Sequence, residues 1–143
     1  MDKKPGSEYC NCLYFSANAL SRAITRLAEE VFAETGLAPS YAFLLMTVNQ
    51  NPGIQPTGIS RKMMLMPSTV TRLIEKMESK GFLERRIKGK FTEVFPTSKS
   101  LELDAKIRDA WAGLYKKYSD VLGEKRSSEL ALETFVASKK LEP

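Results

Sequence analysis

Apolar positions Leu13, Ala17, Leu20, Ile24, Leu27 and Val31 alternate between spacings of four and three residues. That is a coiled-coil-like stripe on one helical face, and it predicts a first helix over 8–35. Gly36 follows as a helix-ending residue in left-handed conformation would. At about 28 residues this helix is more than twice the usual length. Such a helix in a small protein suits packing against a second subunit as well as its own core. Residues 1–7 read as a short flexible tail.

The next apolar cluster, Tyr41, Leu44, Leu45 and Val48, predicts a helix over 39–50. Asn49-Gln-Asn-Pro-Gly53 is a turn cluster. Pro56 and Pro67 each stand where a helix can begin, since proline's missing N–H costs little in a first turn. They open short helices over 56–64 and 67–80, with Met64-Leu-Met66 between them and Gly81 ending the second. Phe82-Leu-Glu-Arg-Arg-Ile87 and Phe91-Thr-Glu-Val-Phe95 carry strand-favouring residues, and Lys88-Gly89 provides a tight turn. Leu103, Ile107, Ala110, Trp111, Leu114, Tyr118 and Val121 mark a helix over 98–122, broken by Gly123. Leu130, Leu132, Phe135 and Val136 mark a last one over 125–139.

The order helix, short turn, helix, two-stranded hairpin within 54–96 is the winged helix-turn-helix plan. In such a unit the second helix enters the major groove of DNA and its N-terminal residues meet base edges. Here that helix starts Pro67-Ser68-Thr69-Val70-Thr71-Arg72. Serine and threonine bond phosphates or bases, and arginine takes a guanine edge with two hydrogen bonds. Val70, Leu73, Ile74 and Met77 supply an inward face.

Charge follows the same segment. The net charge of the 143-residue chain is +5. Residues 60–99 hold Arg61, Lys62, Arg72, Lys76, Lys80, Arg85, Arg86, Lys88, Lys90 and Lys99 against Glu75, Glu78, Glu84 and Glu93, so the segment is +6 and the remainder −1. A basic face is otherwise a solubility feature as readily as a nucleic-acid site; the local plan decides for DNA. Candidate contacts are Ser68, Thr69, Thr71 and Arg72 to bases, and Arg61, Lys62, Lys76, Lys88 and Lys90 to phosphates. Arg85 and Arg86 are candidates too, with one of them expected to bond within the hairpin.

Composition removes other classes. The chain has no histidine, and so lacks the commonest general base. Two cysteines cannot complete a four-cysteine zinc site. No Walker, GxGxxG or GxSxG motif occurs. The carboxylates show no spacing that implies paired acid–base work. The expectation is therefore no catalytic site, no cofactor and no metal. No apolar run approaches the ~20 residues that span a bilayer, so no membrane partner is expected. Two cysteines and no apolar leader point to a reducing cytoplasm.

Residues 65–86, LMPSTVTRLIEKMESKGFLERR, resemble the reading helix and first wing strand of the MarR family. Helix pattern and order match that family from about 10 to 140. The resemblance implies a mainly α fold with a small β-wing, in which a winged helix-turn-helix lobe (39–97) joins a helical dimerisation region (8–35 and 98–140) within one domain, 1–143. It implies a homodimeric regulator that binds double-stranded DNA, with effectors between dimer core and DNA-binding lobe. Family wings carry a longer loop with an Asp-x-Arg-rich stretch whose arginine reaches the minor groove. This chain passes through Lys88-Gly89-Lys90 straight into Phe91. Phe95-Pro-Thr-Ser-Lys99 stands where the family has Leu-Thr-x-x-Gly, with Thr97 or Ser98 as N-cap.

Cys10 and Cys12 are candidate redox sensors at the start of the first helix, a position where reactive cysteines occur. One MarR subgroup, the organic-hydroperoxide repressors, is similar here: Cys10, Tyr14 and Ser21-Arg-Ala-Ile-Thr25 resemble its sensing region. Packing at a dimer interface is the alternative for both cysteines. Phe32, Trp111, Tyr115 and Tyr118 read as core or dimer packing, with an aromatic effector pocket as the alternative. Met46, Met63, Met64, Met66 and Met77 read as adaptable core. The function expected is regulation of transcription, as a repressor released by a small aromatic effector or an oxidant. A winged-helix protein-interaction module without DNA binding and a thiol-redox protein using Cys10 and Cys12 are the alternatives.

Overall fold

The computed structural model describes residues 6–142. Most of the expected tail, residues 1–5, lies outside the described residues. The elements run α1 (Leu13–Phe32), a 3-10 turn (Ala33–Thr35), α2 (Pro39–Gln50), α3 (Pro56–Met63), α4 (Pro67–Ser79), β1 (Leu83–Lys88), β2 (Phe91–Pro96), α5 (Ser98–Leu122) and α6 (Glu124–Leu141). The fold is mainly α with a β-hairpin wing. Prolines 39, 56 and 67 each occupy the first turn of their helix. Gly36 and Gly81 adopt the positive φ that lets a chain leave a helix. No single helix among the described residues is long and apolar enough to cross a membrane.

The first helix is shorter than the apolar stripe suggested. Residues 8–11 form turns, tied by the Tyr9 N–H donating to Ser7 Oγ. Cys12 precedes α1, and its carbonyl accepts the first helical bond from Ser16. Serine side chains that bond locally, as Ser7 does, compete with helix at such positions.

The chain divides into two compact units. One comprises residues 31–112. Its centre is α2, apolar on every side, with Ala42, Leu44, Leu45, Met46 and Val48 all buried. The neighbours of α2 are α3, α4 and β2. They bring Ile59, Val70, Ile74, Met77 and Val94 to it, each at most 1% exposed. The far end of α2 is tied to α5 by polar groups. Asn49 Nδ2 donates to Asp104 Oδ1 (2.9 Å), the buried Ser100 hydroxyl donates to Asn49 Oδ1 (2.7 Å), and Arg108 Nε donates to Asp104 Oδ2 (2.8 Å). Burial pushes the Asp104 carboxyl up, but the bonds from Asn49 and Arg108 outweigh it and hold the group below its ordinary value.

The other unit comprises residues 1–30 and 113–143. Among its described residues α1, the end of α5 and α6 bury little: Ala28, Leu114, Ser119 and Ser127 are covered. Leu13, Tyr14, Val121, Leu132 and Leu141 stay exposed, Val121 at 81% and Leu132 at 64%.

The wing is antiparallel, with Leu83 opposite Pro96 and Lys88 opposite Phe91. The turn is therefore Gly89-Lys90, one residue beyond the turn read from sequence. Gly89 has φ +63 and Lys90 does not have positive φ, the pattern of a hairpin turn with glycine first. The base of the wing has a third partner. Gly53 N–H donates to the Val94 carbonyl and Val94 N–H to the Ile54 carbonyl, both at 2.9 Å. The Thr97 hydroxyl closes the other side by donating to the Gly81 carbonyl (2.6 Å), while its own carbonyl begins α5.

Gly53 has φ +87, and a Cβ there would stand 3.3 Å from the Phe95 ring. A left-handed backbone costs an L-residue about 1–2 kcal/mol. Gly53→Ala should therefore lose at least about 1–2 kcal/mol in denaturant unfolding. Unchanged stability would show that the wing seat shifts freely.

Candidate nucleic-acid interface

The outward face of α4 exists because its inward face is held. Val70, Ile74 and Met77 recur at i, i+4 and i+7 and are buried. The opposite face carries Ser68, Arg72, Glu75 and Ser79, flanked by Thr71 and Lys76, all exposed. Thr69, on the flank, is half-buried. Met66 caps the helix from an extended conformation without a side-chain bond, so the first N–H groups of α4 face outward unmet by any described side chain. The Thr71 hydroxyl donates to the Pro67 carbonyl (3.0 Å), leaving its oxygen lone pairs to accept. Glu75 repels phosphates, so the DNA-compatible chemistry of this face lies in the first two turns, with Lys76 on the flank beyond them.

The link from α3 to α4 is tight. Met64 is left-handed (φ +54), Leu65 N–H donates to Ser60, and the Ser60 hydroxyl donates to the Leu65 carbonyl. This position exposes Met64 and turns Met66 outward at 70% exposure. The expectation that these two methionines are core is corrected: the connection has no packing face. Met46 and Met77 are buried, as their helical positions require.

Arg61 and Lys62 sit in the last turn of α3, where the helix end attracts cations. Among the described residues, neither they nor Arg72, Lys76, Lys88 and Lys90 enter an ion pair or a side-chain hydrogen bond. The two wing arginines have partners. Arg85 donates through Nη2 (2.7 Å) and Nε (3.1 Å) to Glu78 Oε1, and its backbone N–H donates to Oε2 (3.2 Å). Arg86 pairs with Glu84 (2.9 Å) and lies over the Phe95 ring, 4.2 Å from its centroid. The Glu78 clamp, which ties β1 to α4, escaped the sequence reading. Its signal was a glutamate seven residues before an arginine across a glycine turn. Cys12 is exposed, while Cys10, two residues further from α1, is half-buried. Of the aromatics read as packing, Phe32 is fully buried and meets Phe43, which meets Trp111 edge-on at 6.0 Å.

Residues 37–89 match the MarR family model, covering α2 through the first wing strand. Over these residues the chain is similar to the MarR family. The HTH-type transcriptional repressor MdtR of Bacillus subtilis is 24% identical over 131 residues, spanning 90% of this chain and 84% of that protein. The fold is shared with CouR, a transcriptional repressor solved on a 23-mer DNA duplex (TM-score 0.80, 16% identity, 95% of this chain and 99% of that one). It is also shared with PcaV of Streptomyces coelicolor, solved with its natural ligand (TM-score 0.79, 17% identity, 94% and 98%).

The hydrogen bond from the Arg85 side chain outweighs the upward push of burial and holds the Glu78 carboxyl below its ordinary 4.5. A carboxyl lowered in the folded state adds stability that is complete above 4.5 and is lost as pH falls through the lowered value. Both side chains are about a third exposed, so the pair belongs on the surface scale. Glu78→Gln should cost about 0.5–1 kcal/mol at neutral pH. That difference from wild type should shrink as pH falls below 4.5 and vanish once the carboxyl is protonated; a difference that persists where the carboxyl is neutral would assign it to packing instead.

Proposed function

We propose that the chain is a homodimeric, sequence-reading repressor whose two copies of α4 enter successive major grooves of double-stranded DNA. The observation that carries this reading is the exposed first half of α4. Among the described residues Ser68, Thr71 and Arg72 stand free of acidic partners there, with Arg61, Lys62 and Lys76 outside any ion pair around them. Arg72 takes a base edge. Ser68, Thr69 and Thr71 take bases or phosphates. Arg61, Lys62, Lys76, Lys88 and Lys90 neutralise the backbone. Arg85 and Arg86 reach DNA only by sharing their carboxylate partners. MdtR and CouR, both repressors, support repression as the sign of control.

The helical unit supports a dimer. Its exposed Leu13, Tyr14, Val121, Leu132, Phe135 and Leu141 are costly to leave in water. Between α1, α5 and α6 lies an open groove of about 380 Å³ lined by Leu20, Ile24, Tyr118, Leu122, Leu130 and Phe135. A second copy covers this surface, and two reading helices then meet half-sites one duplex turn apart, ~34–36 Å. Release follows from a small aromatic molecule, as the PcaV complex with its natural ligand suggests, or from oxidation at the exposed Cys12 beside Cys10. Either effector acts by favouring one spacing of the reading helices over another. The setting is the cytoplasm, where duplex is available and thiols are reduced.

Arg72→Ala should weaken specific DNA binding by about 1–3 kcal/mol without unfolding the protein. The measurement is anisotropy on duplexes selected by the wild type, with thermal melting as control. Equal affinity removes Arg72 from the reading role. Leu132→Glu should yield a folded monomer by light scattering, with binding to a two-half-site duplex reduced at least tenfold. A dimer that persists moves the interface elsewhere.

A further inference from the structure

Met66 breaks two preferences at once. It stands 70% exposed, where water favours a polar side chain. It is also the N-cap of α4, where serine, threonine, aspartate or asparagine would accept a bond from a first-turn N–H, and it makes no such bond. The left-handed turn at Met64 explains how Met66 comes to face outward. It does not explain why the residue there is apolar. Single exposed apolar side chains are ordinary on a protein surface. One that forgoes a cap at the entrance to a binding face is not. Met64 and Pro67 are exposed beside it, so an apolar edge borders Ser68 at the start of the reading helix. Between Lys62 and Arg72 the chain carries no charge.

The base edges that α4 would meet offer few apolar groups. In the major groove guanine, adenine and cytosine present hydrogen-bond donors and acceptors, and thymine alone adds a methyl group, at C5. Methionine suits such a target, because its thioether is polarisable and its unbranched chain adapts to position. We propose that Met66 is a specificity-determining residue that packs its thioether on the C5-methyl of a thymine in each half-site, beside the bases met by Ser68 and Arg72. This inference rests on the DNA-binding reading above and adds to it a base that no hydrogen bond from α4 selects. The contact removes from water two apolar groups that are both exposed while protein and duplex are apart. It involves no charge, so it adds preference for a base without adding to salt-dependent affinity.

The test uses the full-length protein and duplexes selected by the wild type from a randomised pool. Each thymine of the selected site is replaced in turn by deoxyuridine, which removes the methyl and keeps every hydrogen-bonding group. Wild type should lose about fourfold in affinity at one thymine of each half-site, and on the order of tenfold with both replaced, the scale of one buried methyl group per half-site. Met66→Ala should bind the thymine and uracil duplexes alike, and Met66→Leu should still tell them apart. The salt slope should be the same for all three proteins, since no charge changes. Met66→Ser separates the contact from helix stability. It supplies an N-cap, so it should melt about 3 °C higher than wild type while losing the thymine preference. If wild type binds duplex but no thymine is methyl-sensitive, the proposal is overturned and the DNA reading stands. If Met66→Ala keeps the sensitivity, another group such as the Thr69 or Thr71 methyl reads the base, and the proposal is wrong. If the preference falls only in variants that melt lower, Met66 is structural and the proposal is equally wrong. If wild type retains no duplex, the parent reading falls and takes this one with it.

Discussion

The interaction on which the rest depends is the burial of Val70, Ile74 and Met77 against α2. Three apolar side chains on one line fix the rotation of α4 about its own axis, and that rotation decides what faces outward. A shift of one residue would turn about 100° of helix and bring Thr71 or Glu75 toward the core. Each fully buried side chain contributes about 1.5–3 kcal/mol, so the correct rotation is favoured by more than any surface bond could reverse. The outward presentation of Ser68 and Arg72 is thus a consequence of packing, with no polar contact needed to aim them. The Glu78–Arg85 pair then fastens β1 to the last turn of that same helix, so that wing and reading helix keep one geometry.

Much of this was legible in the sequence because proline and glycine punctuate it. Pro39, Pro56 and Pro67 start helices for a reason local to the residue, and Gly36 and Gly81 end them for another. The α5 bounds agree with the reading from Leu103 to Val121. Local chemistry failed where the answer depends on distant atoms. The pairing of Ile54 with Val94 joins a turn to a strand forty residues away, and nothing at Ile54 alone signals it. Met64 and Met66 read as core because methionine usually is; only the tight α3–α4 link, with Met64 left-handed, shows that neither has a surface to pack on. At the start of α1 the stripe gave the right face but the wrong end, because Ser7 and Cys12 cap a turn that periodicity cannot see.

The helical unit shows a different limit. The stripe Leu13–Ala17–Leu20–Ile24–Leu27–Val31 is one continuous pattern in sequence, yet burial falls along it, from Val31 at 8% exposed to Leu13 at 65%. A periodic apolar face states that burial is favourable and does not name what buries it. At the Val31 end the answer is this chain's own core. At the Leu13 end no described residue supplies it. Exposed leucine, tyrosine and valine on three helices of one small unit are consistent with a surface completed from outside the chain.

The charge that drew attention to residues 60–99 is also less uniform than its sum. Three of its cations are engaged: Arg85 by Glu78, Arg86 by Glu84 and Phe95, and Lys99 by the Lys80 carbonyl and the Phe82 ring. Among the described residues the others have no ion pair; apart from Lys80 at the end of α4, they fall into two groups, Arg61, Lys62, Arg72 and Lys76 on α3 and α4, and Lys88 and Lys90 at the wing tip. A paired arginine must give up its carboxylate before a phosphate gains it, so the exchange yields little net free energy. An unpaired lysine exchanges only water and counterions, and counterion release is where salt-dependent affinity comes from. The effective footprint on a polyanion is therefore two separated patches bridged by an internally neutralised strand, and it is the spacing of those patches, fixed by the α4–β1 clamp, that a duplex would have to match.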